Sequence, residues 1–275
     1  MIDRVILAID GASANAAAID WVIDRSARIP AKFEVTTVLE EVPLAKGFPD
    51  VERDRRKAQV QAVAQRIRDA LPGSEAVGML RHGRPERELN RASADADLLV
   101  VGMRRPDRFD ALAHLPLGLR LAGRTHCVLV VVPQGWLPSG SGIVVGWDDD
   151  ARTEVAVAFA IREARRSGQQ LTIVHADDSP RIPPEVDAIV RRSRFEEHPD
   201  IRYAPASGPV SAAVLDAARG AVLVVVGSHA RNAFEDLMLG SVSEDVLAHS
   251  TLPVAVTPAQ LEPIVVSPEI LDEDL

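Results

Sequence analysis

The 275-residue chain contains one cysteine, Cys127, so no intrachain disulfide can form and a disulfide-stapled secreted scaffold is excluded. Lysine is nearly as scarce: Lys32, Lys46 and Lys57 are the whole complement. A phosphate-binding GxxxxGK(S/T) loop is therefore impossible in the second half, and none occurs in the first. No C-x-x-C or H-E-x-x-H spacing is present and the seven histidines are scattered, which removes the common zinc frameworks. No stretch approaches the ~18 uncharged apolar residues needed to span a bilayer. Asp3, Arg4 and Asp10 bound the only apolar run near the start, Val5 to Ile9, so that run does not read as a signal peptide. The expected setting is a reducing cytoplasm.

What is present is an ordinary globular composition, 47% apolar and 26% charged, enough for two small domains or one large one. The net charge of −9 is unevenly spread. Residues 1–134 carry 20 Lys/Arg against 18 Asp/Glu, a net of +2, and residues 135–275 carry 11 against 22, a net of −11. Neither half has the concentrated basic face of a duplex binder, so nucleic acid is not an expected partner.

The chain repeats itself. Ala96-Asp97-Leu98-Leu99-Val100-Val101-Gly102 is echoed by Ala221-Val222-Leu223-Val224-Val225-Val226-Gly227 at an offset of 125. The same offset pairs Gly83 with Gly208 and the run Leu129–Pro133 with Val254–Pro258. Near the start of each copy the offset is 138, setting Val5-Ile6-Leu7-Ala8-Ile9-Asp10 beside Ile143-Val144-Val145-Gly146-Trp147-Asp148. The 13-residue difference falls between about residues 38 and 83, so the first copy has the longer second crossover, including the Pro43–Pro49 loop. Gln134–Gly142, with Pro138, Ser139, Gly140 and Ser141, reads as a flexible connector. The organisation expected is a domain over 1–134, a second over 142–258 and an acidic tail over 259–275.

Each copy alternates short apolar runs with helical patterns. In the second copy the strands fall at about 143–147, 171–176, 201–205, 222–226 and 253–257, with helices near 152–166, 185–196, 209–219 and 241–249. Runs such as Leu223–Val226 are apolar without alternation, as parallel strands covered on both faces must be. The fold class is α/β, two tandem doubly wound domains with five-stranded parallel sheets. In such sheets ligands bind beyond the carboxyl ends of the strands, where strand order reverses.

That rule directs attention to Asp148-Asp149-Asp150 after the first strand of the second copy and to Gly227-Ser228-His229-Ala230-Arg231 after its fourth. Farther on, Leu239-Gly240-Ser241-Val242-Ser243-Glu244 carries an S-x-x-E capping box that predicts a helix starting at Ser241. A helix N-terminus offers free N–H groups and about half a positive charge. Gly240 leaves the backbone approachable, and Ser241 and Ser243 add hydroxyl donors, an arrangement suited to phosphate oxygens. The plainer alternative is a capped helix after a loop. Asp149 or Asp150 is expected to cap the next helix. His229 is expected to be an ordinary loop histidine and Cys127 inert packing.

The second copy resembles a universal stress protein domain. That family carries G-x2-G-x9-G-S/T after its fourth strand, gripping the ribose and phosphates of ATP. Here the match is Gly227, then Ala230 in place of the second glycine, then Gly240-Ser241. The segments IVVGWDDD and LTIVHADD fit as well, and the resemblance covers about residues 2–133 and 142–258. It implies that Asp148 faces the ribose or the adenine edge, and that Trp147 and Val174 frame the base through backbone and apolar contact. It also implies that Gly227 and Ala230 line the ribose and first phosphates, and that Gly240, Ser241, Val242 and Ser243 hold the phosphates. Mg2+ would be carried with the ATP. If the backbone at Ala230 must be left-handed, the cost of alanine there is roughly 1–2 kcal/mol.

The first copy lacks this chemistry. The ungapped offset sets Arg105 at Ala230, Leu115 at Gly240, Pro116 at Ser241 and Thr36 at Val174. Proline has no N–H to give and leucine covers the backbone, so this half is expected to hold no ATP of its own. The resemblance further implies a pseudo-twofold pairing within the chain, with Val128–Val132 beside Val254–Val256. Homodimerisation and the protein partner are left open. The function expected is a nucleotide-responsive stress protein, not an enzyme beyond at most weak ATPase activity. The alternatives are a nucleotide-free interaction scaffold, a slow ATPase or nucleotidyl-transfer enzyme, and a cyclic AMP binder.

Overall fold

The structure is a computed structural model and describes residues 2–10, 14–40, 50–104, 115–148, 151–175, 184–192, 199–206, 208–228 and 239–259. The Pro43–Pro49 loop, Asp149, Asp150, His229, Ala230 and residues 260–275 of the tail lie outside these. The first half runs β1 (Asp3–Ala8), α1 (Ala14–Ser26), β2 (Ala31–Leu39), α2 (Asp50–Ala70), β3 (Ala76–His82), α3 (Pro85–Ser93), β4 (Leu98–Met103), α4 (Leu117–Leu121) and β5 (Val128–Pro133). The second runs β6 (Ile143–Trp147), α5 (Ala151–Ser167), β7 (Leu171–His175), α6 (Pro184–Arg192), β8 (Ile201–Pro205), α7 (Val210–Ala217), β9 (Leu223–Gly227), α8 (Ser241–His249) and β10 (Val254–Thr257).

The strands join in the order β3-β2-β1-β4-β5-β10-β9-β6-β7-β8. Each half is a doubly wound parallel sheet, and chain order reverses between β1 and β4 and between β6 and β9. The two five-stranded sheets join edge to edge, as the expected pairing of Val128–Val132 with Val254–Val256 requires, into one continuous ten-stranded sheet. β5 and β10 pair antiparallel, with Val131 opposite Val254, Val130 opposite Ala255 and Leu129 opposite Val256. Under the repeat offset of 125, Val130 and Ala255 are counterparts, so the pseudo-twofold axis passes between them. All three pairs are apolar and buried, which favours closing these edges against each other over leaving them in water.

Side chains alternate across the sheet. Val5, Leu7, Val128, Val130, Ile143, Val145 and Trp147 face a layer built by α1, α2, α5 and α6. Ile6, Leu129, Val131, Val144, Val174, Val224 and Val226 face the layer of α3, α4, α7 and α8. The helices meet the sheet along apolar stripes. In α5, Ala156, Val157, Ala160, Ile161 and Ala164 are fully buried at helical spacing. The extra length of the first half goes into structure: α2 has 21 residues and α6 has 9, and β2 has 9 where β7 has 5.

The connector is not the loose tether its composition suggests. Trp136 is buried in the core, and the Ser141 N–H donates to the Gly220 carbonyl at 2.8 Å. Gly140 has φ +84, and a Cβ there would stand 2.2 Å from the Gly220 oxygen. Its glycine is required both by backbone conformation and by this close approach.

Candidate functional site

Three strand ends and one helix start converge beyond the carboxyl ends of the strands in the second half: Trp147-Asp148 at the end of β6, Val174-His175 of β7, Gly227-Ser228 at the end of β9, and Gly240–Ser243 opening α8. β6 is flanked by β7 on one side and β9 on the other, so its end sits at the reversal point.

The helix start is fixed by one hydrogen bond. The Ser243 hydroxyl donates to the Gly227 carbonyl at 2.6 Å, and both residues are buried. This stitches the first turn of α8 to the end of β9. The first intrahelical bond runs from the Glu244 N–H to the Gly240 carbonyl at 2.9 Å, so the N–H groups of Ser241, Val242 and Ser243 precede the helical ladder. Ser241 is exposed, and Gly240 and Val242 are half-buried.

Two expectations change here. The capping box is not formed: Gly240 is the cap residue, Ser241 is the first helical residue, and no side chain caps the helix. The S-x-x-E pattern marks the helix start but does not distinguish a capping serine from one already inside the first turn. Ser243 does not offer its hydroxyl proton to a ligand, because that proton is given to Gly227. What Ser243 can offer is its main-chain N–H. Gly240 has φ −66, open to any residue. Glycine is therefore not demanded there by conformation, and its effect is to leave the amide groups uncovered.

The β6 end divides its roles. The Trp147 ring is 1% exposed and packs in the α1/α5 layer, so only its main chain reaches the crevice. Val174, also 1% exposed, lies on the opposite face of the sheet, the face of α7 and α8. Of the expected framing through backbone and apolar contact, the backbone part is left to Trp147 and the apolar part to Val174. Asp148 is exposed, and its Oδ1 accepts a hydrogen bond from Thr153 Oγ1 at 3.0 Å. The first half repeats this tie five residues on: Asn15 Nδ2 donates to Asp10 Oδ1 at 2.8 Å. Thr153 escaped the sequence reading, although the offset of 138 pairs it with Asn15 and could have revealed it. Ala230 lies outside the described residues.

The corresponding end of the first half is built differently. α4 has five residues and opens on Pro116, whose nitrogen carries no hydrogen. Proline holds the cap position that Gly240 holds in α8, one residue from where the ungapped offset sets it. Gly118 packs against Val131, where a Cβ would meet Cγ1 at 3.0 Å. Thr36, in the place of Val174, is fully buried and its hydroxyl has no partner among the described residues. The Asp10 carbonyl accepts a hydrogen bond from the Arg56 guanidinium, which is in turn held by Glu52 at 2.8 Å. Arg105, which the offset sets at Ala230, lies outside the described residues.

Among the described residues no group of three His, Cys, Asp or Glu side chains could hold a metal ion, and no helix is long and apolar enough to cross a membrane. Cys127 is 1% exposed, and burial pushes its thiol up to about 12, as expected of a packing residue.

A model of the universal stress protein family matches residues 1–133 and 187–258. Trp147, Asp148 and Val174 fall between the matched segments. A universal stress protein of Mycolicibacterium smegmatis is 26% identical over 284 residues, covering 92% of this chain and 96% of that protein. The crystal structure of a universal stress protein from Archaeoglobus fulgidus superposes with a TM-score of 0.76 at 17% identity, covering 93% of this chain and 96% of that one. A universal stress protein solved in complex with cAMP covers 48% of this chain, at 18% identity and a TM-score of 0.40.

Proposed function

The chain belongs to the universal stress protein family, and from that premise we propose that its second half binds an adenine nucleotide, ATP with Mg2+, and that the protein acts as a nucleotide-responsive regulator with little or no turnover. The observation that carries this reading is the bond from Ser243 to Gly227. It holds three main-chain donors and the positive end of the α8 dipole at the strand-order reversal, and anions favour such a helix start. The phosphates take the N–H groups of Ser241, Val242 and Ser243, and Gly240 lets them approach. Gly227 and Ala230 line the ribose. Asp148, oriented by Thr153, accepts from a ribose hydroxyl or the adenine edge, and Val174 lies beneath the base. Mg2+ is held mainly by the phosphates, as is usual for this ion.

Calorimetric titration of the full chain with ATP and with cyclic AMP, Mg2+ present, tests the reading, together with mass spectrometry of nucleotide released on denaturation. One equivalent of ATP per chain is the expected result. Two equivalents would give the first half a site of its own. None of either nucleotide would leave an interaction scaffold. Phosphate release beyond one equivalent would make the protein an enzyme.

A further inference from the structure

The β5–β10 seam brings the two halves together through apolar residues, and its pseudo-symmetric register would suit two copies of either half equally well. The helices above the seam are different. Arg25, in the last turn of α1, reaches across to Glu163 of α5. Its Nε donates to Oε1 and its Nη2 donates to Oε2 at 2.8 Å. The same Nη2 donates to Asp3 Oδ2 at 2.7 Å, and Arg166 holds Asp3 Oδ1 at 2.6 Å. Arg25, Glu163 and Asp3 are 6%, 3% and 3% exposed.

Arg25 and Glu163 are 138 residues apart, the offset that superimposes β1 on β6. They are therefore counterparts in the repeat, meeting each other near the pseudo-twofold axis. At a twofold interface between identical domains, a residue at the axis faces its own copy. A first half on a first half would bury Arg25 against Arg25, and a second half on a second half would bury Glu163 against Glu163. Either arrangement buries two like charges side by side, with Asp3 beside each Arg25 in the first case and Arg162 near each Glu163 in the second, and forfeits the bidentate pair that first on second gives. We infer that the Arg25–Glu163 pair selects the partner at this face: it admits the other half of this chain and rejects a like half from a second copy. Repulsive elements of this kind give specificity that apolar matching alone does not.

The test uses full-length chains, all carrying Asp3→Asn so that a glutamate at position 25 meets no second carboxylate. In R25E both central charges are negative, and in E163R both are positive. Each alone is expected to unfold at clearly lower denaturant than the D3N reference. R25E/E163R restores an opposite pair with the signs exchanged and should return to near the reference midpoint as a monomer. R25E and E163R, unfolded, mixed in equal amounts and refolded together, should form a heterodimer in which each chain pairs with the other's complementary half, seen by native mass spectrometry with one chain isotopically labelled. A double variant as labile as the single ones overturns the inference, and so does a mixture with no more heterodimer than two reference chains. Every outcome is read without nucleotide.

Discussion

The two halves share strand order, layer assignment and even the aspartate tie after their first strands, Asp10 to Asn15 and Asp148 to Thr153. They part at the end of the fourth strand. There the second half presents an uncovered helix start stitched down by Ser243, and the first presents a five-residue helix opened by proline. A core this regular accommodates two different strand-end arrangements because they draw on so few residues, nearly all beyond the strand ends. The difference in formal charge, +2 against −11, runs opposite to what attraction of an anion would favour. The local arrangement of donors, not the charge of the half, distinguishes the half proposed to bind.

The comparison breaks most sharply at the helix caps. Gly240→Val should cost at least about 2 kcal/mol of nucleotide affinity, roughly 30-fold or more, because its branched side chain covers the donors. Leu115→Val should cost nothing. Calorimetry on both variants decides, and equal effects would show that the wrong half had been assigned. The next effect is at the stitch. Ser243→Ala leaves the Gly227 carbonyl buried without its donor and should lower stability by about 1–3 kcal/mol in denaturant titration, with weaker nucleotide binding as well.

A third contrast uses Cys127, whose counterpart in the second half is Leu252. The thiol ionises near 9.0 when unfolded and near 12 when folded, so its pKa is raised by folding. Its contribution is complete below pH 9 and is lost as pH rises toward 12, about 1 kcal/mol being gone by pH 10. Stability curves of the protein and of Cys127→Ala should converge over that range, and a thiol reagent should label Cys127 only on opening of the first half. The smallest effect expected is at Thr36. Thr36→Val removes a buried hydroxyl without a partner and should raise stability by up to about 1 kcal/mol, while giving the first half no nucleotide binding.

Much of the framework was legible in the sequence. Strands expected at 143–147, 171–176 and 201–205 are found at Ile143–Trp147, Leu171–His175 and Ile201–Pro205, because buried parallel strands leave apolar runs that turn residues bound clearly. α8 at Ser241–His249 was legible too. The cap was not, since Ser241 and Glu244 read alike whether serine caps the helix or follows the cap. The direction of the Trp147 ring was equally hidden: alternation assigns a face, but only packing shows that α5 takes it. The connector misled for a different reason. Gly140 and Gly142 resemble flexible linker residues, yet at Gly140 glycine is required by contact with the Gly220 carbonyl. Arg25 and Glu163 were visible as counterparts by arithmetic, but the offset alone cannot say that two counterparts touch.

The antiparallel join of β5 and β10 has a directional consequence. All strands of one half point one way and all strands of the other point back, so the two crevices open at opposite rims of the sheet. A symmetric dimer of one domain would look the same from either end. This chain has a front and a back: at one rim a helix start held by Ser243, at the other a helix opened by Pro116 and an Asp10 carbonyl taken by Arg56. Any surface that engages it can therefore tell which end it has met.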